Sequence, residues 1–244
     1  MAADHAFTRL RAFTSDVIAE ATGQHQRANP VLDGGGGPAG NARLTAWTGL
    51  LLLVLFVAEL FTLIDVGQLI TWHLAIGALL IPPALLKTAA TGWRILRYYT
   101  GNRPFHDSGP PPLIMRILGL MVVLTTLVLL GSGVALVVVG PDGGRSELVE
   151  VLGRRIDWLT IHQVVFAVWA VATGLHVLGR LVPALRLTMR PAPGGVSGGY
   201  RRVAILIATA AAAVACAIVL VRVGHAWQSL PAHHVRPPGQ PQSR

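Results

Sequence analysis

Apolar residues in this chain come in long blocks rather than at amphipathic spacing. Five blocks stand out, running approximately from Leu44 to Val66, Gln68 to Thr91, Leu113 to Val139, Thr160 to Leu187 and Val203 to Val223. Roughly 18 or more apolar residues suffice to cross the hydrocarbon layer of a bilayer. The blocks lack polar–apolar alternation and are rich in Leu, Ala and Val, so they predict transmembrane helices rather than barrel strands. Pro82 and Pro83 interrupt the second block, which a membrane helix tolerates when neighbours satisfy the freed carbonyls. Trp47, Trp72, Trp93, Trp158 and Trp227, with Tyr98 and Tyr99, fall near block ends and fit an interfacial belt. The expected architecture is all-α and integral to the membrane: a four-helix bundle with a fifth transmembrane helix packed alongside.

Polar segments frame these blocks. Residues 1–42 read as a polar leader ending in the run Gly34–Gly37, which has the character of a flexible linker. Within it, Thr8 to Glu20 predicts a short surface helix with Phe7, Leu10, Phe13 and Val17 on one side. No apolar signal-peptide core precedes the first block, and Asp4, Asp16, Glu20 and Asp33 interrupt the leader. The bundle is expected over 43–190, a loop and the fifth helix over 191–224, and a disordered outer tail rich in Pro and Gln over 225–244.

Composition agrees with a membrane setting. Of 244 residues, 52% are hydrophobic and 13% charged, against about 25% charged in soluble domains. The net charge of +9 does not point to nucleic acid, because the arginines flank apolar blocks, as topology and lipid headgroup contact require. Fourteen of the twenty Lys and Arg residues fall in the leader and in the second and fourth connections. Positive residues stay inside, so the N-terminus is expected in the cytoplasm and the C-terminus outside the plasma membrane. Cys216 is the sole cysteine, which excludes an intrachain disulfide and a cysteine metal cluster.

Three of nine histidines lie inside blocks: His73 in the second, His162 and His176 in the fourth. An ionisable group at membrane depth is costly and marks a candidate site, although a histidine bonded to a neighbouring helix is an equal alternative for any one of them. His162 and His176 are fourteen residues apart, which returns a helix to within about 40° of the same face after about 21 Å. That stripe suits two stacked b-type haems, whose axial imidazoles come from facing helices. His73 lies at the depth of His162, so the two can clamp one iron at the outer level. Fourteen residues beyond His73 stands Lys87. It either ligates a second iron as a neutral amine, pairs with a haem propionate or quinone, or snorkels to the headgroups.

Other residues gather around this pattern. Gly77 follows His73 by one turn, and Gly119 and Gly133 in the third block are again fourteen apart, which suits a flat macrocycle between helices. Glycine is also simply common in membrane helices. Arg154 and Arg155 in the third connection can pair with haem propionates or be solvated loop residues. Glu59 is an acid inside the first block. It can relay protons to a quinone, raise the basicity of a ligand imidazole, or bond to a neighbouring helix. His225, His233 and His234 offer only a sparse metal set beside prolines.

These residues resemble the bacterial b-type cytochrome superfamily of four-helix haem-binding membrane subunits. The spaced pair His162 and His176 matches its ligand helix, and His73 with Gly77 its other one. The stretch Trp72-His73 through Pro82-Pro83 to Lys87, then Gly92-Trp93-Arg94 and Arg97 to Gly101, looks like a group of actinobacterial cytochrome b-like membrane proteins. The resemblance covers roughly Leu44 to Leu187 and departs at Lys87, where a two-haem member carries a fourth histidine. It implies an electron-carrying subunit with one or two haems b, set between a redox partner and a quinone or other acceptor. Such subunits often anchor a separate catalytic protein, for example a molybdopterin oxidoreductase, and no nucleophile or phosphate loop suggests turnover by this chain alone. The rival is a haem-free membrane scaffold or transport protein whose intramembrane histidines are structural or relay protons.

Overall fold

The chain is a multi-pass helical membrane protein: four helical tracts are long and apolar enough to cross a bilayer. The computed structural model describes residues 2–22, 29–32, 36–109, 113–151, 153–189 and 195–229. After α1 (Ala2–Ala21), the first tract comprises α2 (Gly37–Thr62), a 3-10 turn at Leu63–Asp65 and α3 (Val66–Tyr99). A straight helix would separate Glu59 from His73 by about 21 Å, yet their side chains meet at 2.9 Å. The chain therefore reverses at the turn. Asp65 leaves the helical region (φ −148°, ψ 81°), and its carboxylate accepts from the Gln68 backbone N–H at 3.1 Å and from Gln68 Nε2 at 2.9 Å. That cap starts α3 and sets α2 and α3 antiparallel.

A short α4 (Arg103–Asp107) leads to α5 (Leu113–Gly144). Gly140 breaks α5 with φ 73°, a conformation open mainly to glycine, so the regular helix stops where the apolar pattern stops, at Val139. Then come β1 (Val149–Val151), β2 (Arg154–Ile156), α6 (Trp158–Met189), α7 (Gly199–Val223) and α8 (His225–Gln228). α5 and α6 are antiparallel: Ser132 meets His162, Thr126 meets Trp169 and Gly179 faces Met115, so numbers rise on one helix as they fall on the other. α2 crosses to α6 where Phe56 meets Trp169, and α7 lies along α3 as the expected fifth helix.

Burial is inverted relative to a soluble bundle. Val171 is 67% and Leu178 75% exposed, while Trp169 on the same helix is 5% exposed. The outward apolar face fits lipid, and the inside holds a core of Leu52, Leu80 and Ala84 with Leu55, Phe56 and Leu130.

Several boundaries differ from the sequence reading. α2 begins at Gly37 rather than near Leu44, because Pro38 suits a first helical turn and small residues extend it. The leader helix spans Ala2–Ala21 and packs against α6, with Phe7 and Phe13 exposed. Leader residues also dock on the bundle: Asn29 Oδ1 accepts from Arg94, and Leu32 O from Ser197 Oγ at 2.7 Å. The third connection contains the two-stranded hairpin, with Val149 opposite Ile156 and Glu150 opposite Arg155. At the start of the expected tail, α8 is helical, and Trp227 donates from Nε1 to Leu136 O at 2.8 Å. Gly34, Gly35 and residues 230–244, with His233 and His234, lie outside the described residues.

Candidate functional site

At the hairpin end of the bundle, α2, α3, α5 and α6 each contribute to one polar cluster. His73, seven residues into α3, and His162, four residues into α6, bring their ring centroids to 6.3 Å with planes at 89°. The reversal at Asp65 is what sets Glu59 and Thr62 of α2 beside His73. Glu59 Oε1 lies 2.9 Å and Thr62 Oγ1 3.0 Å from His73 Nδ1. On the other side, Ser132 Oγ of α5 lies 3.0 Å from His162 Nδ1.

These bonds call for a proton on Nδ1 of both rings. The Thr62 hydroxyl gives its own proton to Glu59 O at 2.6 Å, so its oxygen accepts from His73. Glu59 Oε1 stands at accepting distance from the same nitrogen. Ser132 likewise donates to Leu129 O at 2.9 Å and so accepts from His162. Each imidazole therefore carries a proton on Nδ1, and in its neutral form presents a lone pair on Nε2, the form that ligates a metal. Among the described residues no side-chain hydrogen bond engages either Nε2.

The spacing suits a shared metal. Two imidazoles on opposite faces of one ion, bonded at about 2 Å with each nitrogen about 1.1 Å from its ring centre, hold their centroids about 6 Å apart. Among the described residues no three His, Cys, Asp or Glu side chains converge as a complete cage. A porphyrin iron asks less of the protein, because the macrocycle fills the equatorial positions. Two neighbours restrict bulk beside the rings. A Cβ at Gly133 would stand 3.3 Å from His162 Cε1, and one at Gly77 would stand 3.4 Å from Glu59 Oε1. Glu59 Oε2 is buried without a hydrogen-bond partner, an arrangement that calls for compensating positive charge nearby.

The other candidates separate from this cluster. Arg154 and Arg155 lie on the exposed β-hairpin, where Arg155 Nε pairs with Glu147 Oε2 at 3.2 Å. His176 stands at the opposite end, its Nδ1 buried and unpartnered. Lys87 reaches across to α2 and donates from Nζ to Thr45 O at 3.1 Å. The α5–α6 register sets Gly119 at the level of His176, and a Cβ there would meet nothing within 4 Å. Between the two levels Trp169 donates to Thr126 Oγ1 at 3.0 Å and packs edge-on against Phe56 at 4.7 Å.

Sequence reasoning passed over Thr62, Ser132 and Trp169. A signal was present: hydroxyl residues three positions from a candidate acid (Thr62 from Glu59) and one from a candidate glycine (Ser132 from Gly133), inside otherwise apolar blocks. The class that fold and site define is a multi-pass helical membrane protein with a half-buried histidine site to which four helices contribute. No family model, curated protein or solved structure matches the chain.

Proposed function

We propose that this protein is a b-type cytochrome subunit of the plasma membrane, with one haem held between His73 and His162. The observation that carries the reading is the pair of imidazoles on facing helices, each with its Nδ1 held by a hydroxyl and with centroids 6.3 Å apart. When bound, haem supplies one-electron exchange, and the protein tunes its potential. His73 and His162 would hold the haem iron, one imidazole each. Glu59, Thr62 and Ser132 hold the rings in the ligating tautomer and raise their basicity. Gly133 keeps the His162 ring edge clear. The packed core around Trp169 excludes water from the side facing the bundle centre.

The electron-carrying role follows from such a centre. The chain exchanges electrons between a redox partner subunit, of which a molybdopterin oxidoreductase is one example, and quinone or another acceptor. The excess of Lys and Arg at the end opposite the β-hairpin sets that end in the cytoplasm. Among the described residues His176 faces no second histidine, so one haem per chain is proposed, at the outer level.

A reduced-minus-oxidised visible spectrum of protein purified from haem-replete cells tests this. Low-spin Soret and alpha bands are expected in the parent, and His73→Ala and His162→Ala are each expected to lose them. A featureless parent spectrum, or full and unshifted bands in both variants, would sink the reading.

A further inference from the structure

Among the described residues, α1 is the one long helix that is not apolar enough to cross a bilayer. Asp4, Arg9, Arg11, Asp16 and Glu20 spread charge along it. Its large apolar residues are nonetheless sorted to one side. With 3.6 residues per turn, Phe7, Phe13 and Ile18 fall within an arc of about 140°. They are 67%, 41% and 60% exposed. Ala12 and Ser15, also exposed, lie on the opposite side of the helix. Arg11 borders the apolar arc, its guanidinium 6.0 Å from the centre of the Phe7 ring. A cation reaching from the edge of an apolar face toward water suits a lipid–water boundary. A helix of this length is marginal when both of its faces meet water, so the apolar arc calls for a cover.

Two observations tie that arc to the bilayer. α1 packs against α6, whose outward apolar face continues through Leu178, Leu185 and Met189 to the end opposite the β-hairpin. Beyond α1, Asn29 Oδ1 accepts from Arg94 at 3.3 Å, near the same end of α3. The link from Thr22 to Asn29 reaches at most about 25 Å, so the helix stays tethered to that end. We propose that α1 is an interfacial helix lying in the leaflet surface there, with Phe7, Phe13 and Ile18 among the upper acyl chains and Ala12 and Ser15 in water. Lipid is the partner because the arc extends an interface that the apolar exterior of the bundle already makes. Two arginines against three acids leave α1 without a net positive charge, so apolar burial rather than attraction to anionic headgroups holds it. This surface does not depend on the outer haem.

Spin labels on the full chain test the proposal, in a Cys216→Ala background and in phosphatidylcholine nanodiscs that hold one chain each. Labels are attached singly after Phe7→Cys, Phe13→Cys, Ile18→Cys, Ala12→Cys or Ser15→Cys. Relaxation by oxygen, compared with relaxation by a water-soluble nickel chelate, reads the depth of each label. The labels at positions 7, 13 and 18 are expected about 5–10 Å below the lipid phosphates, and those at 12 and 15 in water. Phe7→Asp with Phe13→Asp is expected to bring the label at position 18 up into water. A label after Leu178→Cys on α6 stays among the acyl chains in that double variant and certifies an intact bundle. All five labels in water, all five immersed, or an unmoved label at position 18 in the double variant would each overturn the proposal. Labels at 7, 13 and 18 shielded from oxygen and nickel alike would also overturn it, and would assign the arc to contact within the protein.

Discussion

A histidine in a membrane helix acquires meaning from the atom that holds its proton. At His73 and His162 that atom is Nδ1, because Thr62 and Ser132 spend their own protons on backbone carbonyls. Glu59 Oε1 stands beside one of the two rings, 2.9 Å from His73 Nδ1. On the haem reading, a carboxylate bonded to a ligand N–H strengthens the ligand and favours ferric over ferrous iron. Glu59→Gln is therefore expected to raise the midpoint potential in a redox titration. A hydrogen-bond difference of about 1 kcal/mol corresponds to on the order of 40 mV for one electron. A lowered potential would contradict the assigned role. The sequence made His73, His162 and Glu59 legible because ionisable residues are conspicuous in apolar blocks. Thr62 and Ser132 were not legible, because a single hydroxyl in a membrane helix ordinarily bonds its own backbone, as Thr48 does to Leu44 O at 2.8 Å. Only the register between helices shows which hydroxyls do more.

Helix boundaries depend on caps. Asp65 caps α3 and makes the reversal that brings Glu59 to His73. Asp157 caps α6, accepting from the Thr160 backbone N–H at 2.7 Å. That bond holds the Asp157 carboxyl below the ordinary carboxylate range. A depressed carboxyl stabilises the fold at pH values above its unfolded value, near about 4, and loses that contribution as pH falls through the folded one. Asp157→Asn is expected to flatten this acid limb of a stability–pH profile while leaving neutral-pH stability nearly unchanged, since Asn also caps. An acid limb identical to the parent would contradict it. Trp169 matters differently, filling the bundle between the two levels. Trp169→Ala is expected to cost about 3 kcal/mol in SDS-titrated unfolding, near the low end for such truncations, because burial from lipid gains packing rather than transfer from water. Apolar blocks announced the long helices at near-correct positions. The β-hairpin and α8 escaped, because three-residue strands and a four-residue helix carry too little periodicity to read.

The whole molecule is two antiparallel helix pairs, α2–α3 and α5–α6, with α7 along α3 and two polar levels inside an apolar exterior. Its four-helix core and fifth helix were legible from block length alone. The separation of the levels was legible from fourteen-residue spacing, although what Lys87 does required the gap at Gly49, where a Cβ would lie 2.7 Å from Lys87 Nζ. The charge distribution predicts an orientation that impermeant maleimide can read. In a Cys216→Ala background, Ser146→Cys beside the β-hairpin is expected to label in intact cells, and Ser197→Cys only after permeabilisation. The reverse pattern would invert the topology. The central claim, one haem between two imidazoles, is tested most directly by pyridine-haemochrome quantification of haem per polypeptide. The parent and His176→Ala are expected to carry one haem per chain, and His73→Ala and His162→Ala close to none. A haem-free parent, or full occupancy without either outer histidine, would contradict the account.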